Sequence, residues 1–293
     1  MSHAFRKDAT ILLAGLWRSE YGTYFLGYLN RDQFTQLAVN HIDDAIDKAL
    51  ELSNKGKNVF FGCAVYENTL SRKGQNVKEV WGFWMDIDCG EVKAAKGQGY
   101  LSKDDALVAI FAFCAQCQIP NPTHIVDSGG GYHVYWAIMD SLDPLQWTES
   151  AKKFKQVADN WGFLADPSRT SDIASVLRMP GTFNYKPKYD QPRLVKLEKT
   201  SGVIETFDMV ASIEQAYVQI SPKINIVSPV NKTEVFLLET DTNIAKVKTA
   251  LGFIDPDCDY DFWRRICCSI KSFNWQCSEQ LANEWSRGDY FLK

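Results

Sequence analysis

The apolar positions of this chain change period along its length. In HIDDAIDKALELSNK, residues 41–55, Ile42, Ala45, Ile46, Ala49 and Leu50 recur at helical spacing and the pattern stops near Gly56, which predicts an amphipathic helix. NVFFGCAVYE then reads as a strand, and EVWGFWMDID as a second, buried strand that closes on acids. Residues 104–118 return to a helical pattern, with Ser102 or Asp104 placed to cap it. THIVDSG and GYHVYWAI are two strands joined around glycines 129–131, a hairpin. A long helix follows over 143–161, with Pro144 in its first turn. SVLRM and PRLVKLEK complete the series as further strands. Strands and helices interleave, but the hairpins call for antiparallel pairing. The expected class is therefore α+β with a mixed sheet, not a doubly wound parallel sheet.

The texture changes near residue 218. QISPKINIVSPVNKT has no period and reads as a linker over 218–233, which leaves one large domain over 1–217. In the remainder, 234–293, Ile244, Val247 and Leu251 share a helix face, as do Phe262, Ile266, Ile270 and Phe273, and then Leu281 and Trp285. This predicts a small all-α module of short helices. The chain stops soon after the last pattern, at Phe291-Leu292-Lys293, and the expectation is that it forms the front part of a longer polypeptide.

Composition narrows the picture. Of 293 residues, 45% are hydrophobic, enough for a sizeable core. No apolar run reaches the roughly 18 residues that a membrane helix needs. The early stretch ILLAGLW is too brief for a signal peptide and lacks a small-residue cleavage site. These features predict a cytoplasmic protein without a membrane partner. Eight scattered cysteines read as reduced thiols. Cys114 and Cys117 form a lone CxxC inside a helical apolar run; without two further ligands nearby they are expected to face the core, and no zinc is expected. Net charge is −4, yet residues 151–200 carry ten Lys or Arg against five acids. A polyanion needs a basic surface locally, whatever the global charge. A solvated helix face plus a basic hairpin would account for the same numbers.

Three segments carry candidate chemistry. In Trp84-Met85-Asp86-Ile87-Asp88 the two acids sit on one face of a buried strand, roughly 7 Å apart at about 3.3 Å per residue. Buried carboxylates cannot both stay charged and unpaired, and divalent ions about 3.5–4 Å apart, bridged by such acids, suit phosphoryl transfer. A bare DxD is also common at solvated strand ends. In Ser128-Gly129-Gly130-Gly131-Tyr132-His133 the glycines let backbone amides gather around an anion, and His133 can donate to a phosphate; a flexible turn is the plainer reading. The third segment runs from Asp172 through Arg178 and Pro180-Gly181 to Lys186. Asp172 can complete a three-carboxylate site, while Arg178 and Lys186 suit a triphosphate, the one by bidentate contact and the other as a point charge. Asp166 and Arg169 are the rival pair nearby, and a salt-bridged loop is the bland alternative.

In order and spacing, the DxD, SGGGYH and D-x5-R-x-PGT-x-N-x-K segments resemble the archaeo-eukaryotic primase superfamily, most nearly the primase-polymerases of phages and plasmids. The resemblance covers residues 10–205. The 242–293 region is similar to the small helical domain that often follows such catalytic domains. The resemblance implies an RRM-like catalytic core with an additional α/β unit. It implies that Asp86, Asp88 and Asp172 bind two Mg²⁺ or Mn²⁺ ions, that His133 contacts the incoming nucleotide's phosphates beside Ser128, Gly130 and Gly131, and that Arg178 and Lys186 hold the triphosphate. The implied partners are single-stranded DNA template and primer, (d)NTPs, and a helicase fused or associated; a phage-encoded chain would work in the host cytoplasm. Two rivals stand beside it. A non-catalytic origin-binding initiator would not need all three acids, and a metal-dependent nuclease would have little use for a triphosphate clamp.

Overall fold

The computed structural model describes residues 3–19, 21–30, 33–220, 239–271, 273 and 275–291. In chain order the elements are α1 (His3–Leu16), β1 (Tyr24–Asn30), β2 (Gln33–Val39), α2 (Ile42–Asn54), β3 (Asn58–Gly62), β4 (Val65–Tyr66), β5 (Val77–Asp88), α3 (Glu91–Ala94), α4 (Lys103–Cys117), β6 (His124–Asp127), β7 (Gly131–Leu142) and α5 (Pro144–Trp161). After these come α6 (Pro167–Thr170), β8 (Val176–Arg178), β9 (Phe183–Asn184), β10 (Arg193–Leu194), β11 (Lys196–Thr200), α7 (Thr206–Ile220), α8 (Asp241–Leu251), α9 (Tyr260–Lys271) and α10 (Ser278–Ser286).

The expected α+β class is what forms. One sheet runs β2-β1-β3-β8, a second runs β11-β6-β7-β5-β4, and β9 pairs with β10 in a short ribbon. Every pairing between these strands is antiparallel. Contacts divide the chain into two units, Met1–Lys223 and Ile224–Lys293. Of the expected linker, residues 218–220 complete α7, and the rest lies outside the described residues.

Local sequence explains the helix boundaries. Ser102 accepts from Asp105 N while the Asp105 carboxylate returns a bond to Ser102 N, a capping box that starts α4. Asp143 accepts from the amides of Leu145 and Gln146 at the head of α5, Pro144 fills its first turn, and Gly162, with φ of 76°, ends it. The core lies against the second sheet. Trp84, Trp136 and Trp147 are fully buried there, and their indoles donate to Arg169 O (3.0 Å), Pro120 O (2.7 Å) and Gly82 O (2.8 Å), so none of these three ring nitrogens is stranded. Leu12, Leu13, Leu16 and Trp17, from the ILLAGLW stretch, belong to the same core. Cys114 and Cys117 face it from α4, as expected.

Two sequence expectations need revision. PRLVKLEK is two strands, not one: β10 pairs with β9 and β11 with β6, because the chain leaves one partner for the other at Val195, which is fully buried between them. In the second unit, α8, α9 and α10 enclose Leu251, Ile270, Trp275, Leu281, Ala282 and Trp285. Phe262, expected in that interior, is 43% exposed, and Trp263 packs inward instead.

Candidate functional site

Strands β5 and β7 pair so that Asp86 faces His133 and Asp88 faces Gly131. The i, i+2 spacing puts both acids on one face, as the sequence predicts. Gly131 is required at its position, since a Cβ there would lie 1.9 Å from Ile87 O. The glycine loop is thereby drawn against the acids, and Gly130 O accepts from Cys89 N at 2.9 Å. From the other side, the β9–β10 ribbon holds the loop. Asn184 Nδ2 donates to Ser128 O at 2.8 Å and Arg193 donates to Gly129 O at 2.8 Å. The Arg193 guanidinium lies 3.9 Å from the centre of the Tyr189 ring, and the Tyr189 hydroxyl fills the space a side chain at Gly130 would occupy.

The acids and the loop open into a cleft of about 760 Å³ whose lining includes Asp86, Asp88, Ser128, Gly130, His133, Arg178 and Lys186. One wall is the β5–β7 pair, and the other comes from β3 and β8 of the first sheet. The charges are not balanced one for one. Lys57, Arg72 and Arg169 also line the cleft, so five cations face two acids. Of the basic 151–200 segment, only Arg169, Arg178 and Lys186 line this cleft; Lys153 instead pairs with Glu214.

This crowding shifts protonation. Burial, then the neighbouring Asp88 and Asp166 charges, pushes the Asp86 carboxyl up to about 7. Burial, then Arg178, Lys186 and Arg169, pushes His133 down to about 3. His133 is therefore neutral, and its Nε2 lies 3.7 Å from Asp86 Oδ1; Nδ1 is buried without a hydrogen-bond partner. Arg178 is 5% exposed and is oriented by Asn58 Oδ1 at 2.8 Å. Burial and then Arg178 lower the Lys186 pKa. Asp88 holds Lys93 at 2.7 Å. A site that raises a carboxyl and depresses a histidine and a lysine stores an unmet demand for ligand charge of both signs.

For the third acid the sequence offers Asp172, with Asp166 as its rival. Neither lines the cleft, and Asp172 is held in a turn. Its carboxylate accepts from Ala174 N at 3.0 Å and from Ser175 Oγ at 3.3 Å, shaping the turn that leads into β8. The Asp166 carboxylate likewise accepts from Ser168 N at 2.8 Å and Ser168 Oγ at 2.7 Å, capping α6, but its amide donates to Asp86 O at 2.7 Å, and its charge is among those that raise Asp86. With Asp88 it also borders a second hollow, of about 500 Å³, on the α5–α6 side. Among the described residues no group of three or more His, Cys, Asp or Glu is arranged to hold a metal. Cleft residues that the sequence reading passed over are Lys57, Asn58 and Arg72. They lie far from the motifs in sequence and arrive only through the first sheet and the segment before β5.

No family model matches the chain, and no curated protein matches it in sequence. Its fold does match solved structures. The AEP domain of the cyanophage S-2L primase-polymerase superposes with a TM-score of 0.52 at 13% identity, covering 71% of this chain and 97% of that one. Primase RepB' superposes with a TM-score of 0.50 at 15% identity, covering 98% and 91%. At such identity the likeness is one of fold.

Proposed function

We propose that this chain is a template-directed nucleotidyltransferase, a primase-polymerase acting in the replication of a phage or mobile element, and that its cleft joins (d)NTPs to a growing strand. One observation carries the reading: a pair of acids, a glycine loop with a neutral histidine, and buried cations share one cleft. The AEP-domain fold supports it. A nuclease has no need of Arg178 and Lys186 beside the acids, and an initiator has no need of a buried carboxyl raised by its neighbours.

The residues fit a divalent ion. Asp86 is crowded by Asp88 and Asp166, and a cation relieves that crowding. Mg²⁺ is commonly held by one or two carboxylates with substrate phosphates completing its shell, so three converging protein ligands are not required. Asp86 and Asp88 would hold Mg²⁺ or Mn²⁺, with Asp166 rather than Asp172 as the supporting acid. Such an ion neutralises charge on the reacting phosphate oxygens. The chain's own groups do the rest. Arg178, fixed by Asn58, and Lys186 clamp the β- and γ-phosphates. The neutral His133 donates a hydrogen bond to a phosphate oxygen, and the loop at Ser128 and Gly130 admits the phosphates close to the backbone. A primer 3′-hydroxyl attacks the α-phosphate and pyrophosphate departs, with catalysis coming from positioning and charge neutralisation.

The test is incubation of single-stranded DNA, with and without primer, with Mg²⁺ or Mn²⁺ and labelled nucleotides. Products from unprimed template establish priming, and products only with primer establish extension. Asp86→Ala with Asp88→Ala should remove incorporation, by at least about a thousandfold on the scale of lost electrostatic catalysis, while the circular dichroism spectrum is kept. Undiminished incorporation by that double variant would sink the assignment.

A further inference from the structure

Beside its charged groups, the cleft is lined by aromatic side chains. Along β3 the side chains alternate: Val59 and Phe61 are fully buried in the core, so Phe60 points the other way, into the cleft. Phe34 on β2 reaches the same place. Gly27 on β1 pairs with Phe60, and a Cβ at Gly27 would come within 2.2 Å of Phe34 Cζ. The missing side chain is what lets the Phe34 ring reach across β1. The two rings meet at 6.0 Å with planes tilted by 54°. Neither belongs to the hydrophobic core, and both stay half-buried at the cleft surface. Arg178 pairs with Phe60 across β8 and stands 4.9 Å from its ring centre. Arg72, held by Ala174 O, stands 5.9 Å from the Phe34 ring.

We propose that the Phe34–Phe60 pair is the subsite for the base of the incoming nucleoside triphosphate. The inference rests on the proposed function and adds where the base goes. Arg178 joins the two halves of the cleft: it backs Phe60 on one side and lines the phosphate end on the other, so a nucleotide whose phosphates meet Arg178 has its base within reach of the rings. Aromatic faces accept any base, because every base has a π-face and stacking carries little sequence information. A templated enzyme needs that tolerance, since pairing with the template makes the choice. Leu29, Val176 and Pro187 add apolar lining to that of the rings.

The test compares equilibrium binding of dATP, inorganic tripolyphosphate and oligo(dT) to the full chain. Phe34→Leu keeps the bulk and removes the π-face. It should weaken dATP on the order of tenfold, the usual loss when one base-stacking ring is removed, and leave tripolyphosphate unchanged. Phe34→Tyr should restore dATP binding. Gly27→Ala, which displaces the ring without deleting it, should reproduce the loss; it gives an independent reading if Phe34→Leu lowers the melting temperature. Equal effects on dATP and tripolyphosphate, or none on either, would overturn the subsite. A loss confined to oligo(dT) would also overturn it, placing a template base on the rings instead. A wild-type chain that binds neither dATP nor tripolyphosphate would remove the proposed function itself, whereas one that binds both equally well removes only the base subsite.

Discussion

At the scale of single residues the decisive contrast is between Asp166 and Asp172. Both are half-buried, both follow the DxD by similar distances in sequence, and both look like a third ligand from the chain alone. Their surroundings separate them. Both carboxylates close turns, Asp172 through Ala174 N and Ser175 Oγ and Asp166 through Ser168 N and Ser168 Oγ, but the Asp166 backbone is hydrogen-bonded to Asp86 and its charge is among those that raise Asp86. Asp166→Asn should therefore cut nucleotide incorporation by about tenfold to a hundredfold, the usual cost of disturbing the support of a metal site, with little change in melting temperature. Asp172→Ala should do the reverse, keeping most activity per folded molecule and destabilising by about 1 kcal/mol for the lost turn bonds; thermal melts alongside primer extension decide the pair. That Asp86, Asp88, His133, Arg178 and Lys186 meet in one cleft was legible in the sequence because each sits in a short motif whose local geometry is nearly fixed. The choice between Asp166 and Asp172 was not, because both are turn formers and a turn former and a site acid share one chemistry.

Among the elements, the β9–β10 ribbon gives the glycine loop its shape. Three glycines in a row are free to move by themselves, so the loop's form comes from Asn184 and Arg193 fastening the carbonyls of Ser128 and Gly129. Arg193→Ala removes one tie and the Tyr189 contact without touching the acids. The expected outcome is a rise in KM for the nucleotide of about tenfold or more with a smaller fall in kcat, matching the ~1.5–3 kcal/mol of a charged hydrogen bond; a kcat effect alone, at unchanged KM, would show that the ribbon does not shape the loop. The helices over 42–54, 103–117 and 144–161 were readable from period and caps, since each needs only its own residues. The β1–β2 hairpin escaped notice. Its strands present Gly27, Phe34 and polar residues in no clean alternation, because one face packs the core while the other serves the cleft. PRLVKLEK looked continuous for a related reason: an apolar run does not announce that its two halves pair with different strands.

At the scale of the whole molecule, every cleft residue named above belongs to the unit Met1–Lys223. The helical unit has its own interior around Trp285. A chain cut after Ile220 should keep its cooperative melting transition and bind dATP within about twofold of the full chain, as additivity between independent parts implies; loss of the transition would show that the first unit depends on the second. Within that unit, the pairing of Asp86 with His133 and Asp88 with Gly131 ties chemistry to strand register. A slip by one residue would turn every side chain of β7 to the opposite face and take His133 away from the acids; in the direction that brings Tyr132 to the place of Gly131, its Cβ would also meet Ile87 O. On the proposed function, a wrongly paired chain would hold no complete site, so strand register acts as a switch on assembly: the cleft is either built whole or not at all.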